Sequence, residues 1–355
     1  MLRLEKRLAP SAFMRTMTPV LALVATMIAG GILFALLGKN PITAIRIIFV
    51  DPLFDPFSRT ELLVKGAPLI LIASGLALGF RAGVWNIGAE GQFIIGAIAG
   101  GSVALAFYDV PGIWLLPLMT LAGALGGFLW AMIPAVLRIR YNANEILVSL
   151  MLVYVATLLL SALVSGPLRD PDGFNFPESR LFHDSATLPI IIAGSRVHAG
   201  VLVALGIAVA AYVTLQYHVL GFQIKLTGEA PKAAGFAGVN RNRIIAICLG
   251  ISGALAGMAG LFETAGPVGQ LVPSLPVGYG FTAIIVAFLG RLHPVGIVLA
   301  GLVMALTYIG GETAQLSLNL PAAAISVFQG MLLFFLLAMD MLVNYRLTTR
   351  RRAGA

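Results

Sequence analysis

Apolar runs about as long as a bilayer is thick alternate along this chain with short polar interruptions. A hydrocarbon core about 30 Å thick needs roughly 20 apolar residues per helix. Runs of that kind lie at 17–37, 62–80, 91–107, 113–137, 145–165, 198–218, 243–262, 277–290, 294–311 and 321–343, which predicts ten transmembrane helices. The eighth is short and flanked by glycine, so it is expected to be tilted, broken or partly interfacial. The first run could be taken for a signal peptide. It is too long for one and leads into Gly38-Lys39-Asn40 rather than a small-x-small site, so it reads as a retained helix.

Composition turns this pattern into a fold class. The chain is 59% hydrophobic and only 11% charged, against roughly a quarter charged in a soluble domain. An all-α integral membrane protein follows, read as a single transmembrane domain over residues 1–355. The net charge of +8 could point to nucleic acid, but the basic residues sit in clusters between apolar runs, as topology signals do. With the N-terminus inside, sixteen of the 23 Lys and Arg fall in inside segments, among them Arg81, Arg138, Arg140, Lys225, Lys232, Arg241, Arg243 and Arg291. Most acids, including Glu61, Glu263 and Glu312, then fall outside. Both termini are therefore expected in the cytoplasm, with a cytoplasmic segment at 1–16, a cytoplasmic loop at 219–242 and a basic cytoplasmic tail at 344–355.

Enzymatic chemistry finds little support. Cys248 is the one cysteine and lies inside an apolar run, so a buried thiol is expected and a disulfide is excluded. His183, His198, His218 and His293 are scattered without metal-ligand spacing, and Gly38-Lys39-Asn40 lacks the parts of a phosphate-binding loop. No cofactor or metal is expected on this chain, and if ATP drives it, another chain hydrolyses it. Carboxylates inside the apolar runs are nearly absent by this reading, which weighs against an ion-coupled carrier. Two long outside loops, 39–61 and 166–197, are candidate docking surfaces for an extracytoplasmic partner. Glycines three or four apart, at 123, 126 and 127 and at 250, 253, 257 and 260, read as helix packing.

Three polar segments could carry function. The first, 80–92, reads Phe-Arg-Ala-Gly-Val-Trp-Asn-Ile-Gly-Ala-Glu-Gly-Gln; non-helical backbone at membrane depth belongs beside protein or a wet cavity, and Trp85, Asn86, Glu90 and Gln92 suit stacking and hydrogen bonding to a polar solute. A plain cytoplasmic turn is the alternative. In the second, 138–145, Asn144 suits a helix cap and Glu145 the positive end of that helix, and both are candidate pathway residues. The third, 221–240, suits a short amphipathic helix begun by Glu229 and Pro231 and stopped by Gly238, able to lie on lipid or dock in a groove of a cytoplasmic protein.

These segments resemble the nucleoside-type permeases of ABC importers, within the wider branched-chain amino acid and simple sugar permease family. The resemblance is carried by residues 80–92, by Asn-Glu-Ile-Leu-Val-Ser-Leu-Met-Leu at 144–152, by Gly-Pro-Leu-Arg-Asp-Pro at 166–171, by Gly-Glu-Ala-Pro-Lys-Ala-Ala-Gly-Phe-Ala-Gly-Val-Asn at 228–240, and by residues 280–294. It implies a subunit of a bacterial inner-membrane importer, paired with a second permease or a copy of itself, with cytoplasmic ATPases that use ATP and magnesium, and with an extracytoplasmic binding lipoprotein or periplasmic protein. It places Gly228, Glu229, Ala230, Lys232, Ala233, Ala234 and Gly238 in the loop that couples to the ATPase. Asn-Ile-Gly-Ala-Glu-Gly-Gln at 86–92 favours nucleosides or related nucleobase compounds over simple sugars, which remain the alternative, with an ion-coupled carrier behind both.

Overall fold

The computed structural model describes residues 2–6 and 11–349; Arg7, Arg350, Arg351 and Arg352 of the expected cytoplasmic segments lie outside them. Among the described residues, nine helices are long and apolar enough to cross a membrane, and a shorter apolar one follows. The elements in order are β1 (Leu2–Lys6), α1 (Ala12–Leu36), α2 (Pro41–Phe49), α3 (Asp51–Phe54), α4 (Pro56–Arg81), α5 (Ala89–Ala106), α6 (Leu115–Tyr141), α7 (Glu145–Ser165), α8 (Gly200–Tyr217), α9 (Val219–Glu229), α10 (Pro231–Phe236), α11 (Arg241–Glu263), α12 (Tyr279–Leu289), α13 (Pro294–Leu318), α14 (Ala322–Asn344) and β2 (Tyr345–Thr349). The long helices match the expected apolar runs, and α12 is the short eighth one. Its eleven residues span about 16 Å, half a bilayer core.

The chain forms two compact units, residues 1–58 with 306–355, and residues 59–305. In the first, α1 packs along α14: the Phe34 and Phe328 rings stack with centroids 5.9 Å apart, and Gly30 has no room for a methyl beside Phe328. Strand β1 pairs antiparallel with β2, so residues 2–6 and 345–349 run side by side. The span 39–61, expected as a loop, is instead mostly helical. Asn40 caps α2 by accepting from Ile42 and Thr43 N–H, and prolines at 41, 52 and 56 open the short α2 and α3 and the long α4 in turn.

The second unit is built around α4, α5 and α11, which are mostly buried, whereas α6, α7 and α8 keep most of their surface open. Glycines set the inner spacing. A methyl on Gly96 would strike the backbone of Gly257, one on Gly257 the carbonyl of Gly123, one on Gly127 the carbonyl of Gly253, and one on Gly260 the carbonyl of Phe93. With no hydrophobic drive between helices in lipid, this backbone proximity is what holds α5, α6 and α11 together. Cys248 is fully buried at the same core, its thiol 3.7 Å from the Leu78 carbonyl.

Three placements differ from expectation. Glu61, Glu263 and Glu312 were expected outside the membrane, but they lie within helices long enough to span it, in α4, α11 and α13. Hydropathy windows end where polar residues dilute the average, while the backbone hydrogen-bond ladder continues through them. Carboxylates within the spans are therefore not nearly absent.

Candidate functional site: two broken segments that meet

The first break follows α4. Gly83, at φ +70, turns the chain with no steric cost, and residues 82–88 run back into the bundle without helical structure. The depth can be read from a hydrogen bond: Asn86 Nδ2 donates to Ser252 Oγ at 2.9 Å. Ser252 is eleven residues into α11, or about 16 Å from its start, and it faces Gly75, about 9 Å back from the end of α4. The segment is thus re-entrant, and α5 begins inside the bundle.

The side chains of this segment are largely spent on one another. Asn86 and Gln92 are buried and joined by two amide hydrogen bonds, 2.8 Å from Asn86 Nδ2 to Gln92 Oε1 and 3.0 Å from Gln92 Nε2 to Asn86 Oδ1. Asn86 Oδ1 also accepts from Gly88 N–H at 3.2 Å. Glu90, likewise buried, accepts from the backbone N–H of Gly278 at 2.9 Å and of Gly280 at 2.5 Å. It therefore caps α12, whose first turn would otherwise leave donors unpaired inside the membrane. In this conformation Asn86, Glu90 and Gln92 offer no open surface, and contact with a solute would require exchanging these bonds.

Trp85 differs. It is 39% exposed, and its ring stacks on Phe288 at 5.7 Å and lies 5.0 Å from Phe80. The Trp85 backbone N–H points to Glu145 Oε1 at 3.5 Å. Glu145 is ion-paired with Arg138, and Asn144 caps α7 by accepting from Ile146 N–H at 2.9 Å. The structure thus brings Trp85 and Glu145 together at one end of the unit, and keeps Asn86, Glu90 and Gln92 deeper.

The second break enters from the other end and leads into the short eighth helix, which was expected to be tilted, broken or partly interfacial. After Glu263, α11 continues as a π-helical turn, Thr264–Val268, and Gly269 and Gly278 take φ +80 and +87 on either side of residues 270–277. Residues 166–197, expected as a long outside loop, are laid against this break. Ser179 N–H donates to the Leu271 carbonyl at 3.0 Å, Phe182 N–H to Gly269 at 2.8 Å and Leu188 N–H to Ala265 at 2.8 Å. Around the same break Arg196 forms two hydrogen bonds to buried Glu61, at 3.0 and 2.5 Å, and Lys65 lies 5.9 Å from the Tyr279 ring centroid. The glycines at 269 and 278, with Pro267, Pro273 and Pro276 between or beside them, were the available signal, since glycine and proline together break helices.

At the end shared with Trp85, the 221–240 segment, expected as one short amphipathic helix, forms two pieces, α9 and α10. Ala230 precedes Pro231 and sits at φ −143, ψ 71, because a residue before proline is pushed out of the helical region. Glu229 consequently ends α9 rather than starting a helix. Gly228 lies on the Arg81 carbonyl with no space for a side chain, and Gly238 takes φ +74 just past α10. Ala234 is buried, whereas Glu229, Lys232 and Ala233 are exposed and Phe236 is 95% exposed.

Comparison with known proteins decides the family. The model for the permease component of branched-chain amino acid transport systems matches residues 58–337. The chain belongs to that family. This permease is therefore a multi-pass transport subunit of an ABC system rather than an enzyme, and the family implies an ATPase that hydrolyses ATP and a substrate-binding protein as partners. The ion-coupled carrier is set aside. The chain is similar to the glucose ABC transporter permease of Haloferax volcanii, 39% identical over 97% of this chain and 93% of the relative. It is also similar to the guanosine ABC transporter permease of Bacillus subtilis, 28% identical over 96% and 97%, and to a nucleoside ABC transporter permease of Lactococcus lactis, 26% identical over 91% and 90%. No solved structure matches the chain.

Proposed function

We propose that this permease imports nucleosides or related nucleobase compounds across a prokaryotic plasma membrane by alternating access, as half of a permease pair. The observation that carries the substrate reading is the Trp85 ring, half open and backed by Phe288 and Phe80, since a flat base gains most from a pre-ordered aromatic face. The guanosine and nucleoside relatives, aligned over at least nine-tenths of both chains, support it. The simple-sugar reading has its own support in the 39% identical glucose permease.

In this proposal the end carrying Trp85, Arg138 and α9–α10 faces the cytoplasm, in keeping with its basic loops. The exposed surface of Glu229, Lys232, Ala233 and Phe236 sits in a groove of the ATPase. Movement of α9–α10 reaches α4 through the Gly228 seat on Arg81 and reaches α11 through Asn240, which caps it by accepting from Arg243 N–H at 3.1 Å. Both helices lead to the broken segments, so closure of the ATPases would shift the two breaks together as rigid parts. The binding protein would approach the opposite end, over residues 166–197.

Reconstitution with the ATPase and the binding protein tests this. Uptake of radiolabelled guanosine that excess glucose does not inhibit is expected, and uptake of glucose alone would establish the second reading. In the same assay Glu229→Arg is expected to abolish ATP-driven uptake while leaving membrane insertion and complex-independent folding intact. Normal uptake by that variant would move the docking surface elsewhere.

A further inference from the structure

Arg81, the partly buried last residue of α4, joins three elements at the end shared with Trp85. Its carbonyl is the seat of Gly228 in α9. Its guanidinium Nε–H donates to the Leu292 carbonyl at 3.0 Å, across 211 positions of sequence, and so reaches the turn between α12 and α13. Glu229, beside Gly228, acts electrostatically on the same guanidinium.

The turn that Arg81 holds is strained and tight. Arg291 and Leu292 take φ +59 and +54 in succession, a left-handed conformation in which a Cβ crowds the following carbonyl. Such backbone persists only where its surroundings fix it. Within the turn, Leu292 N–H donates to the Ala287 carbonyl at 2.8 Å and Arg291 N–H to Phe288 at 2.9 Å. A methyl on Gly290 would strike the Ile297 nitrogen, which presses the turn onto α13. The Arg81 bond ties this unit to α4.

Helix α12 is fastened to the first break at both ends. At its start, Glu90 accepts from Gly278 and Gly280 N–H. At its end, Phe288 stacks on Phe80 at 5.1 Å and on Trp85 at 5.7 Å. Eleven residues held in this way behave as a rod rather than a hinge.

We propose that Arg81 is the positioning residue that carries motion of the coupling segment to the α12–α13 turn, so that α12 and the first break swing as one body. The proposal rests on the reading of α9–α10 as the segment that docks in the ATPase. Arg81 itself need touch no solute. Without its bond, α9–α10 would still follow the ATPase, but the cytoplasmic end of α12 would lag behind, and ATP would be hydrolysed with less solute moved.

Arg81→Met keeps the apolar stem and removes every donor, whereas Arg81→Lys keeps a cationic donor able to reach a carbonyl. In the complex reconstituted with ATPase and binding protein, Arg81→Met should lower uptake per ATP hydrolysed about fivefold, with hydrolysis itself within about twofold of native, and Arg81→Lys should recover about half of the loss. In the full-length permease alone, hydrogen exchange at 290–293 should rise about tenfold in Arg81→Met, while exchange at 264–271 stays as it was. A native ratio of uptake to hydrolysis, or unchanged exchange at 290–293, overturns the proposal. So does joint loss of hydrolysis and uptake, which would put Arg81 in the docking surface. The ratio is taken with whichever solute the complex carries, so a wrong substrate leaves it readable. Should Glu229→Arg transport normally and end the docking reading, the exchange measurement still judges the tie.

Discussion

The two breaks in the helical bundle solve the same problem in different ways. Residues 82–88 carry their own hydrogen-bond partners: Asn86, Gln92 and Gly88 satisfy one another within a few positions of sequence, with Ser252 the distant addition. Residues 264–278 carry almost none, and their backbone is satisfied by remote chain, the 179–188 stretch on one side and Glu90 on the other. Irregular backbone in a bilayer must be paired somewhere. The difference teaches that a self-contained break announces itself in the sequence as a polar cluster, whereas a borrowed one leaves only its glycines and prolines. The two meet at one point, the Glu90 carboxylate on the first turn of α12, and substitutions there separate what each contributes.

The largest effect is expected at Gly280. A Cβ there would strike the backbone N of Glu90 and the carbonyl carbon of Ala89, and neither can move aside by changing rotamer. Gly280→Val should therefore push the two breaks apart at a cost above about 4 kcal/mol. Solubilised membranes would then yield little monodisperse protein on size exclusion. Gly83→Ala is the contrast: its left-handed φ of +70 meets open space, so only about 1 kcal/mol of backbone strain is incurred. Equal yields from the two variants would mean that the junction is not a tight contact.

Glu90→Gln is the next test. The carboxylate accepts two backbone N–H groups; an amide presents one oxygen, and its NH2 would face the second donor. The loss should be about 1.5–3 kcal/mol, read as a fall in the thermal inactivation midpoint, and the second break should loosen first. Hydrogen exchange at 276–282 should rise while exchange at 82–88 stays low, since the Asn86–Gln92 pair does not depend on Glu90. Equal loosening of both segments would show that the first break is less self-contained than its hydrogen bonds indicate.

How much of this was legible in the sequence follows from the same contrast. The long spans could be read because each is apolar at bilayer length, and the 80–92 and 221–240 segments because polar residues and glycine interrupt them. The burial order could not be read: α7 and α8 are as apolar as α4 and α11, so nothing in their pattern says which lie inside and which keep open surface. Glu263 was misplaced for a related reason. It ends an apolar run and resembles a loop residue, but a π-helical turn extends the helix past it. Of the candidate residues, Asn144 declared its capping role by position, while Asn86, Glu90 and Gln92 were legible as polar but not in their bonds: the Asn86–Gln92 pair needs the non-helical path of 82–88, and the partners at 252, 278 and 280 are remote in sequence.

The smallest structural effect is expected at Trp85, the exposed aromatic side chain of the first break. Trp85→Ala removes a ring that stacks on Phe288 and Phe80 but bridges no distant backbone, so stability should fall by only about 1 kcal/mol. If the exposed indole face receives the base of the solute, the concentration for half-maximal guanosine uptake should rise about tenfold, the stacking contribution of one base being about 1–3 kcal/mol. Trp85→Phe should recover much of it. Unchanged uptake by Trp85→Ala, with the protein stable, would take the solute away from the first break and leave the second, with Lys65, Tyr279 and Glu263 around it, as the place where a polar solute meets the pathway.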